Sequence, residues 1–335
     1  MAGDRKTGIL LANTGTPAEP TPRAVRAYLA RFLINRRIAP MNRLAWWFIL
    51  HFAILPRRSR ASAEKYRAIW TPEGSPFSLD HAALQRGLAA ELARRGFDAE
   101  VRIAMSFGEP RVKAALKSLR EAGCERVVVL PLYPQSAFST TGVVADGVRS
   151  AARGLRWKAR VDTVPDYHLD PTYVRAVAAS VLHAGFDPAG DDRLLFSYHS
   201  VPLSDIEAGD DYELQTSATS LHIAEELGLS RDRWTIAYQC RFDKGRDWLS
   251  PSTADTLDRW ARVGGGRVFL VCPNFAVDCL ETLYDVEKVL GPRYLDARRA
   301  AGHPTDASSF AYVRCLGNSK AHVRVLADVL GPYLG

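Results

Sequence analysis

The stretches VVVLPLYPQ (127–135) and VFLVCPNF (268–275) decide the fold of this chain. Each is an unbroken apolar run that leads into a proline, and each is the third strand of its half of the sequence. Continuous rather than alternating hydrophobicity is typical of parallel strands that are covered on both faces. The two stretches therefore predict two similar parallel sheets, one in each half.

Six further runs alternate with stretches of helical period. The predicted strands are 7–15, 99–108, 126–134 and 157–165 in the first half, and 193–200, 234–240, 267–273 and 310–316 in the second. The predicted helices are 78–95, 111–122, 139–153, 170–184, 213–227, 252–263, 279–290 and 319–330. Four β–α units followed by four more indicate an α/β protein of two doubly wound domains, which join near residues 165–172.

An apolar segment, LAWWFILHFAILP (44–56), lies in an insertion between the first two strands and is followed at once by RRSR. Its twelve nearly unbroken apolar residues would rise about 18 Å as a helix, whereas crossing the core of a bilayer needs about 30 Å. The segment is therefore a buried core helix, a helix in a membrane interface or one wall of an apolar ligand site. A loop after a parallel strand overhangs the crevice where such folds bind ligands, which favours the last two.

The net charge of +7 is concentrated around this segment. Residues 1–70 contain thirteen Arg or Lys and three acidic residues, whereas the rest of the chain carries a net charge of −3. Arginines interleaved with aromatic residues suit an anionic bilayer surface, or a flat aromatic ligand that bears carboxylates. A solvated basic face beside a core helix is the remaining interpretation.

Several classes of protein and cofactor are not expected. The amino terminus has no basic-then-apolar leader, which predicts a cytosolic protein. Five cysteines without a CxxC pair argue against disulfides and against zinc or iron–sulfur sites. Neither GxGxxG nor GxxxxGKS/T occurs as a strand-to-helix motif, so no nucleotide cofactor is expected, and no motif indicates nucleic-acid binding.

Reactive side chains follow two neighbouring strands of the second half. His199 ends the first of these strands, where it either faces the crevice or is structural. Asp278, Glu281 and Asp285 are spaced i, i+3, i+7, so they share one face near a helix amino terminus. They either complement the helix dipole or form a path for a divalent cation. His199 and Glu281 come from strands one and three of one sheet and are in a position to approach each other.

The first half has a comparable candidate edge. Tyr133 follows its third strand, and SAFSTTG (136–142) then supplies hydroxyl groups at a predicted helix amino terminus. Such a terminus can bind a carboxylate or a phosphate group. The carboxyl edge of the first sheet is therefore a second candidate site.

Seven motifs, taken together and in this order, resemble those of the ferrochelatases, enzymes that insert ferrous iron into a porphyrin in the last steps of haem synthesis. They are NTGTP (13–17), EGSP (73–76), LPLYPQ (130–135), SYHSVP (197–202), QCRF (239–242), WLSPST (248–253) and NFAVDCLETL (274–283). The resemblance covers almost the whole chain, and the pair SYHSVP and DCLETL is its most specific part.

The resemblance implies two Rossmann-like lobes with a porphyrin in the cleft between them. It assigns residues 1–165 to an amino-terminal lobe with a hydrophobic lip (residues 36–75), residues 166–318 to a lobe that carries the metal site, and residues 319–335 to a terminal helix. In membrane-associated members, the lip also touches the bilayer.

The resemblance also implies roles for individual residues. His199 and Glu281 match the catalytic pair at the metal, and the neighbouring acids complete an acidic path. The residues that match the porphyrin pocket are Tyr133, Trp248, Phe275 and Ser75. An imidazole suits Fe2+ and also accepts protons near neutral pH, so His199 either delivers the metal or takes a proton.

The implied function is insertion of Fe2+, as substrate metal, into protoporphyrin IX by a lyase that is cytoplasmic and peripherally attached to an anionic membrane. A coproporphyrin III ferrochelatase, another metal chelatase and a non-catalytic porphyrin carrier are the alternatives. The chain departs from the family pattern at Thr14, where a leucine-like residue is usual, and in the loop 239–249 before Trp248. It has no cysteine tail, so a [2Fe–2S] cluster is not expected.

Overall fold

The computed structural model describes residues 6–241, 243 and 245–334. Residues 1–5, on which the expected absence of a leader partly depends, lie outside that range, as do Phe242 of the QCRF motif and Lys244. The described chain forms two compact units. Unit 1 contains the described residues up to Asp166 and from Asn318 onward, and unit 2 contains Tyr167–Gly317.

Unit 1 is built on a parallel sheet. Its strands are β1 (Thr7–Asn13), β2 (Ala99–Met105), β3 (Arg126–Pro131) and β4 (Arg160–Thr163). They pair in the order β2-β1-β3-β4, and the register aligns Ala12 of β1 with Pro131 of β3. The helices between them are α1 (Pro22–Leu33), α2 (Arg43–Phe48), α3 (Leu55–Ile69), α4 (Pro76–Arg94), α5 (Val112–Glu121) and α6 (Thr141–Gly154).

Unit 2 repeats this plan with β5 (Arg193–His199), β6 (Trp234–Gln239), β7 (Val268–Val271) and β8 (Phe310–Val313), paired in parallel in the order β6-β5-β7-β8. Its helices are α7 (Pro171–His183), α8 (Leu203–Glu207), α9 (Tyr212–Glu226), α10 (Thr253–Val263) and α11 (Gly291–Ala300). The terminal helix α12 (Lys320–Leu334), which the resemblance sets apart, packs against α4 and belongs to unit 1.

The predicted α/β class with two four-stranded parallel sheets is confirmed. In each sheet the first strand in sequence lies between the second and the third, so the strand order reverses between β1 and β3 and again between β5 and β7. Open α/β sheets bind their ligands outside the carboxyl ends of the strands at such a switch point. The fold therefore marks one candidate edge in each unit.

Burial of both faces of each sheet explains why the strand sequences are continuous apolar runs. In unit 1, Leu10 and Ala12 pack with apolar residues of β3, α5 and α6 on one face of the sheet. Ile9 and Leu11 alternate to the opposite face and are also fully buried. Since each buried aliphatic side chain contributes about 1.5–3 kcal/mol, neither face tolerates regular polar positions.

The apolar segment of the lip is part of a longer helix than its sequence predicts. The helix begins at Arg43 after an Asn42 cap, continues as a π-helix over Ile49–Ile54 and then as α3 to Ile69. Pro56 has no N–H to donate and its ring crowds the carbonyl four residues back, which the wider turn relieves. The chain therefore continues in helical form through RRSR.

Exposure excludes a buried core helix for this segment. Leu50 is its buried residue between positions 43 and 54, whereas Leu44 is 70% exposed and Phe52 is 71% exposed. No helix in the described chain is both long enough and apolar enough to cross a membrane. An interfacial helix and a ligand-site wall remain as interpretations.

The helix after β7 also differs from its prediction. The sequence predicts a helix over residues 279–290, whereas the structure has a π-helix over Glu281–Leu290 that continues into α11 as far as Ala300. Pro292 follows this π-helix at the same distance as Pro56 follows the first, and the Gly291 N–H bonds the carbonyl of Val286 five residues back. A side chain at Gly291 would meet Phe310, since a Cβ there lies 2.8 Å from its ring.

We expect Gly291→Ala to destabilise the protein by about 1–3 kcal/mol, because an added methyl group overpacks against Phe310. Gly154→Ala is the matched control: it also lies in a helix, but apart from its chain neighbours and the nearby backbone of its own helix, no heavy atom of the described chain is within 4 Å of the place its methyl group would occupy. That control should gain up to about 1 kcal/mol from helix propensity. Urea denaturation of both variants measures the difference, and equal stabilities would contradict the packing argument.

A buried histidine joins α4 to the end of β1. Nδ1 of His81 lies 2.7 Å from the carbonyl oxygen of Phe77, and its Nε2 lies 3.0 Å from Asn13 Nδ2. A carbonyl only accepts and an amide nitrogen only donates, so the ring is neutral with its proton on Nδ1. Burial lowers the pKa of His81 to about 4 against the opposing effect of the Phe77 carbonyl, and His322 lowers it further.

The stability of the protein should therefore fall between pH 6.5 and pH 4. In that range the unfolded chain binds a proton at His81 and the folded chain does not, so folding is penalised by about 3 kcal/mol at the acid end. Over this range we expect the free energy of unfolding of the wild type to fall by about 3 kcal/mol more than the free energy of unfolding of His81→Gln. His183→Gln, at the exposed end of α7, should keep the wild-type slope; identical slopes in all three would contradict the assignment.

Candidate active site

The predicted site residues of unit 2 lie at the switch point of its sheet. His199 is the last residue of β5, and Glu281 follows β7, the strand that pairs with β5. Because β5 and β7 are parallel neighbours, their carboxyl ends meet at one edge. The topology thus brings the two predicted catalytic residues to the same edge of the same sheet.

His199 lies on the sheet face that the helix starting at Glu281 covers. Leu195 of β5 packs in one cluster with Cys272, which follows β7, and with Val286 of the π-helix Glu281–Leu290. Side chains alternate along a strand, so His199 lies on the face of Leu195. Glu281, as the first residue of the π-helix, begins the element that covers this face.

The tautomer of His199 is fixed by its neighbour. Its Nδ1 lies 2.7 Å from the carbonyl oxygen of Ser200, which can only accept, so Nδ1 carries the proton. In the neutral ring Nε2 then holds a lone pair that can take a proton or bind a metal. Hydrogen bonds also hold the main chain at His199 and Ser200. The Tyr212 hydroxyl donates to the His199 carbonyl at 3.0 Å, and the Ser200 N–H donates to the Gln239 carbonyl at 2.8 Å.

The predicted acidic path has one member in a defined hydrogen-bond network. The Asp278 carboxylate accepts from the Tyr312 hydroxyl at 2.6 Å and from the Thr282 hydroxyl at 2.9 Å, and Arg314 lies 3.7 Å away. These contacts tie the start of the π-helix to β8. Asp285 lies one turn further along the π-helix and is partly buried. Transport of cations or protons by these acids stays a prediction.

Three cysteines lie near the same edge. Burial raises the pKa of the thiols of Cys272, Cys279 and Cys315 well above the ordinary value. Metal ligation and redox chemistry use the thiolate, which this environment disfavours. Among the residues that the structure describes, no group of three or more His, Cys, Asp or Glu side chains is arranged to hold a metal ion.

Trp248 is held by its own loop. Its indole N–H donates to the Asp243 carbonyl at 3.1 Å, and the Arg246 guanidinium lies 4.8 Å from its ring. Arg246 and Asp243 are themselves 2.7 Å apart, and the indole is buried. Phe275, after β7, is partly buried against the core of unit 2. Contact of either ring with a porphyrin stays a prediction.

In unit 1, Tyr133 lies just beyond β3 at the switch point with β1. Its hydroxyl is 2.5 Å from the Thr14 hydroxyl, which follows β1. Ser75 is buried at the N-cap position of α4, and its main-chain carbonyl accepts from the Leu79 N–H of that helix. The two predicted substrate-binding residues of this unit are therefore attached to its central sheet and to α4.

Sequence reasoning missed part of this arrangement. Asn13 was noted only within a motif and Thr14 only as a departure from the family pattern, although polar residues directly after a buried strand are the usual signal of a site at the carboxyl edge. Gln239 was likewise passed over: it pairs in register with His199, and its buried amide oxygen has no hydrogen-bond partner in the described part of the chain. No local signal in α4 identified His81 as the partner of Asn13.

The chain is similar to known proteins over nearly its whole length. The family model for ferrochelatase matches residues 6–332. The ferrochelatase of Methylococcus capsulatus is 41% identical over 329 residues, which cover 98% of this chain and 97% of that protein. The ferrochelatase of Vibrio cholerae is 38% identical, with 98% of this chain and 99% of that protein covered.

Solved structures support the fold. SirB from Bacillus subtilis with Fe3+ has a TM-score of 0.61 at 12% identity, and the match covers 98% of this chain and 96% of that one. The sirohydrochlorin chelatase SirB from Bacillus subtilis subspecies spizizenii, in complex with cobalt, has a TM-score of 0.56 at 11% identity. That match covers 98% of this chain and 95% of the other chain. At such identity the likeness concerns the fold alone. The family model and the full-length relatives go further: this chain belongs to the ferrochelatase family.

Proposed function

We propose that this protein inserts Fe2+ into protoporphyrin IX, with His199 and Glu281 acting at the metal. Insertion of iron into a porphyrin for haem synthesis is the activity of the family to which the chain belongs. The choice of protoporphyrin IX over coproporphyrin III and the roles of individual residues are the new part. The observation that carries these roles is the hydrogen bond from His199 Nδ1 to the Ser200 carbonyl.

That bond matters because the reaction must move two protons. A free-base porphyrin is planar and carries two inner N–H groups, so the metal enters only as these protons leave and the ring bends. With its proton held on Nδ1, the His199 ring offers the Nε2 lone pair to a pyrrole proton or to incoming iron. Imidazole is also a suitable ligand for ferrous iron. An apolar pocket that grips the ring would supply the distortion from binding energy.

Glu281 is proposed to supply a negative charge beside His199. It starts the π-helix that covers the His199 face of the sheet, and a carboxylate there can neutralise the metal or relay a proton. Asp278, which lies just before this helix, and Asp285, which lies within it, would continue an acidic route. In unit 1, Tyr133 and Ser75 are proposed to contact the porphyrin, and in unit 2 Trp248 and Phe275 are proposed to do so.

Anaerobic mixing of the protein with Fe2+ and either protoporphyrin IX or coproporphyrin III, followed by absorbance, tests the function. Faster turnover with protoporphyrin IX is the expected result. Preference for coproporphyrin III would overturn the substrate assignment. Tight binding of both porphyrins without any turnover would instead identify a carrier.

We expect His199→Ala to bind metal-free porphyrin as wild type does but to insert iron about 10²- to 10⁴-fold more slowly, since it loses the proton acceptor or ligand. Porphyrin fluorescence measures binding and absorbance measures insertion. His222→Ala is the matched control, because His222 is exposed on α9 and its Nδ1 also bonds a main-chain carbonyl, that of Ala218, at 2.9 Å. Unchanged turnover in His199→Ala would refute its role.

We also propose that the protein is cytosolic and that the lip attaches it to an anionic bilayer. Exposed apolar side chains cluster on the helix that starts at Arg43, and the rings of Trp47 and Phe48 lie 5.1 Å apart while those of Phe48 and Phe52 lie 6.1 Å apart. Exposed Arg57 and Arg60 follow directly. Aromatic and basic residues side by side suit the boundary between acyl chains and anionic headgroups.

Leu44→Glu should weaken binding to anionic vesicles about tenfold or more, because an exposed apolar side chain is replaced by a charge that anionic lipid repels. Flotation with phosphatidylglycerol-containing vesicles measures the bound fraction. Leu214→Glu is the control, since Leu214 of unit 2 is 74% exposed and Leu44 is 70% exposed. Equal losses in both variants, or no binding by wild type, would reject the lip as the membrane contact.

A further inference from the structure

We propose that Thr14 is a positioning residue for Tyr133, and that it holds the phenol in the orientation that binds porphyrin. The inference rests on the proposed function, in which Tyr133 contacts the porphyrin. Thr14 does not itself touch substrate in this scheme; it acts through the hydroxyl of Tyr133.

The contact lies at the switch point of the first sheet. Thr14 follows β1 and Tyr133 follows β3, the two strands between which the order reverses. Their hydroxyl oxygens are 2.5 Å apart, at the short end of the range for O–H···O hydrogen bonds. The alternation of side chains puts both residues on the face of Leu10 and Ala12, and Tyr133 packs against that cluster. In unit 2, His199 and Glu281 flank the equivalent position.

The turn that carries Thr14 is rigid. The Thr14 N–H donates to the Asn13 side-chain oxygen at 2.7 Å, and the Thr14 carbonyl accepts from the Phe107 N–H at 2.9 Å. The next residue, Gly15, has φ +98° and lies so close to Gly108 that a Cβ would come within 2.6 Å of the Gly108 nitrogen. The Thr14 hydroxyl is therefore presented from a fixed point.

Asn13 is fixed in turn by the buried His81. Since the neutral imidazole carries its proton on Nδ1, its Nε2 accepts from Asn13 Nδ2 at 3.0 Å. This sets the orientation of the amide, which must then offer its oxygen to the Thr14 N–H. A continuous series of hydrogen bonds thus crosses the edge of the sheet, from α4 on one face to Tyr133 on the other.

The physical effect is preorganisation. A phenol that can turn about its side-chain torsions loses that freedom when a ligand binds, which weakens binding. The bond to Thr14 restricts the ring before the ligand arrives. The series of bonds therefore favours porphyrin binding and leaves iron binding at His199 unaffected.

The test is the affinity for metal-free protoporphyrin IX, measured by fluorescence, together with KM for porphyrin and for Fe2+. Thr14→Val keeps the shape of the side chain but removes the hydroxyl, and should weaken porphyrin binding about two- to tenfold while KM for Fe2+ stays unchanged. Thr14→Ser restores the hydroxyl and should restore affinity. Thr7→Val, at the opposite end of the same strand, should behave as wild type.

A double-mutant cycle with Tyr133→Phe separates positioning from general destabilisation. If Thr14 acts through the phenol, the double variant binds no more weakly than Tyr133→Phe alone. The inference would be overturned by additive losses in the double variant or by wild-type affinity in Thr14→Val. It would also be overturned if Thr14→Ser failed to restore affinity, or if Thr7→Val lost as much affinity as Thr14→Val. Because binding is measured without metal, a wild type that binds porphyrin but never inserts iron would refute the proposed function and leave this inference standing.

Discussion

Parallel pairing of the central strands in each unit is the constraint on which the rest of the structure depends. Because β1 lies between β2 and β3, and β5 lies between β6 and β7, the loops that follow the paired strands leave from one edge and diverge. Chemistry-bearing residues gather at those two edges: a hydroxyl pair in unit 1, and an imidazole with a carboxylate in unit 2. The same backbone arrangement thus presents two different sets of side chains, which are set by the residues that follow the strands.

The two π-helices have a common cause. Each is followed by a proline, Pro56 or Pro292, that cannot donate the hydrogen bond which an α-helix would require at that point. Widening the preceding turns lets the helix continue instead of breaking. In one case the result is a long exposed apolar helix in the lip; in the other it is a helix that starts at Glu281 and lies on the His199 face of its sheet.

Much of the fold could be predicted from the sequence because buried strands are visible locally as runs of apolar residues. The eight strands were recognised as apolar runs, and His199 and Glu281 were assigned to one sheet edge from strand order alone. Other features left no such trace. The helix that runs through RRSR follows an apolar run that ends in a proline, and hydrophobic periodicity does not report bonding five residues back. The contact of Thr14 with Tyr133 joins residues 119 positions apart, and only the register of β1 against β3 brings them together.

The membership of α12 in unit 1 affects how the molecule is made. This helix packs on α4, buries His322 near His81 and joins Asp328 to Arg95, yet it is translated after all of unit 2. Domains generally fold as units as they leave the ribosome. Unit 2 can therefore reach its native state on a growing chain, whereas unit 1 must wait, with one side of α4 uncovered, until synthesis has passed Lys320.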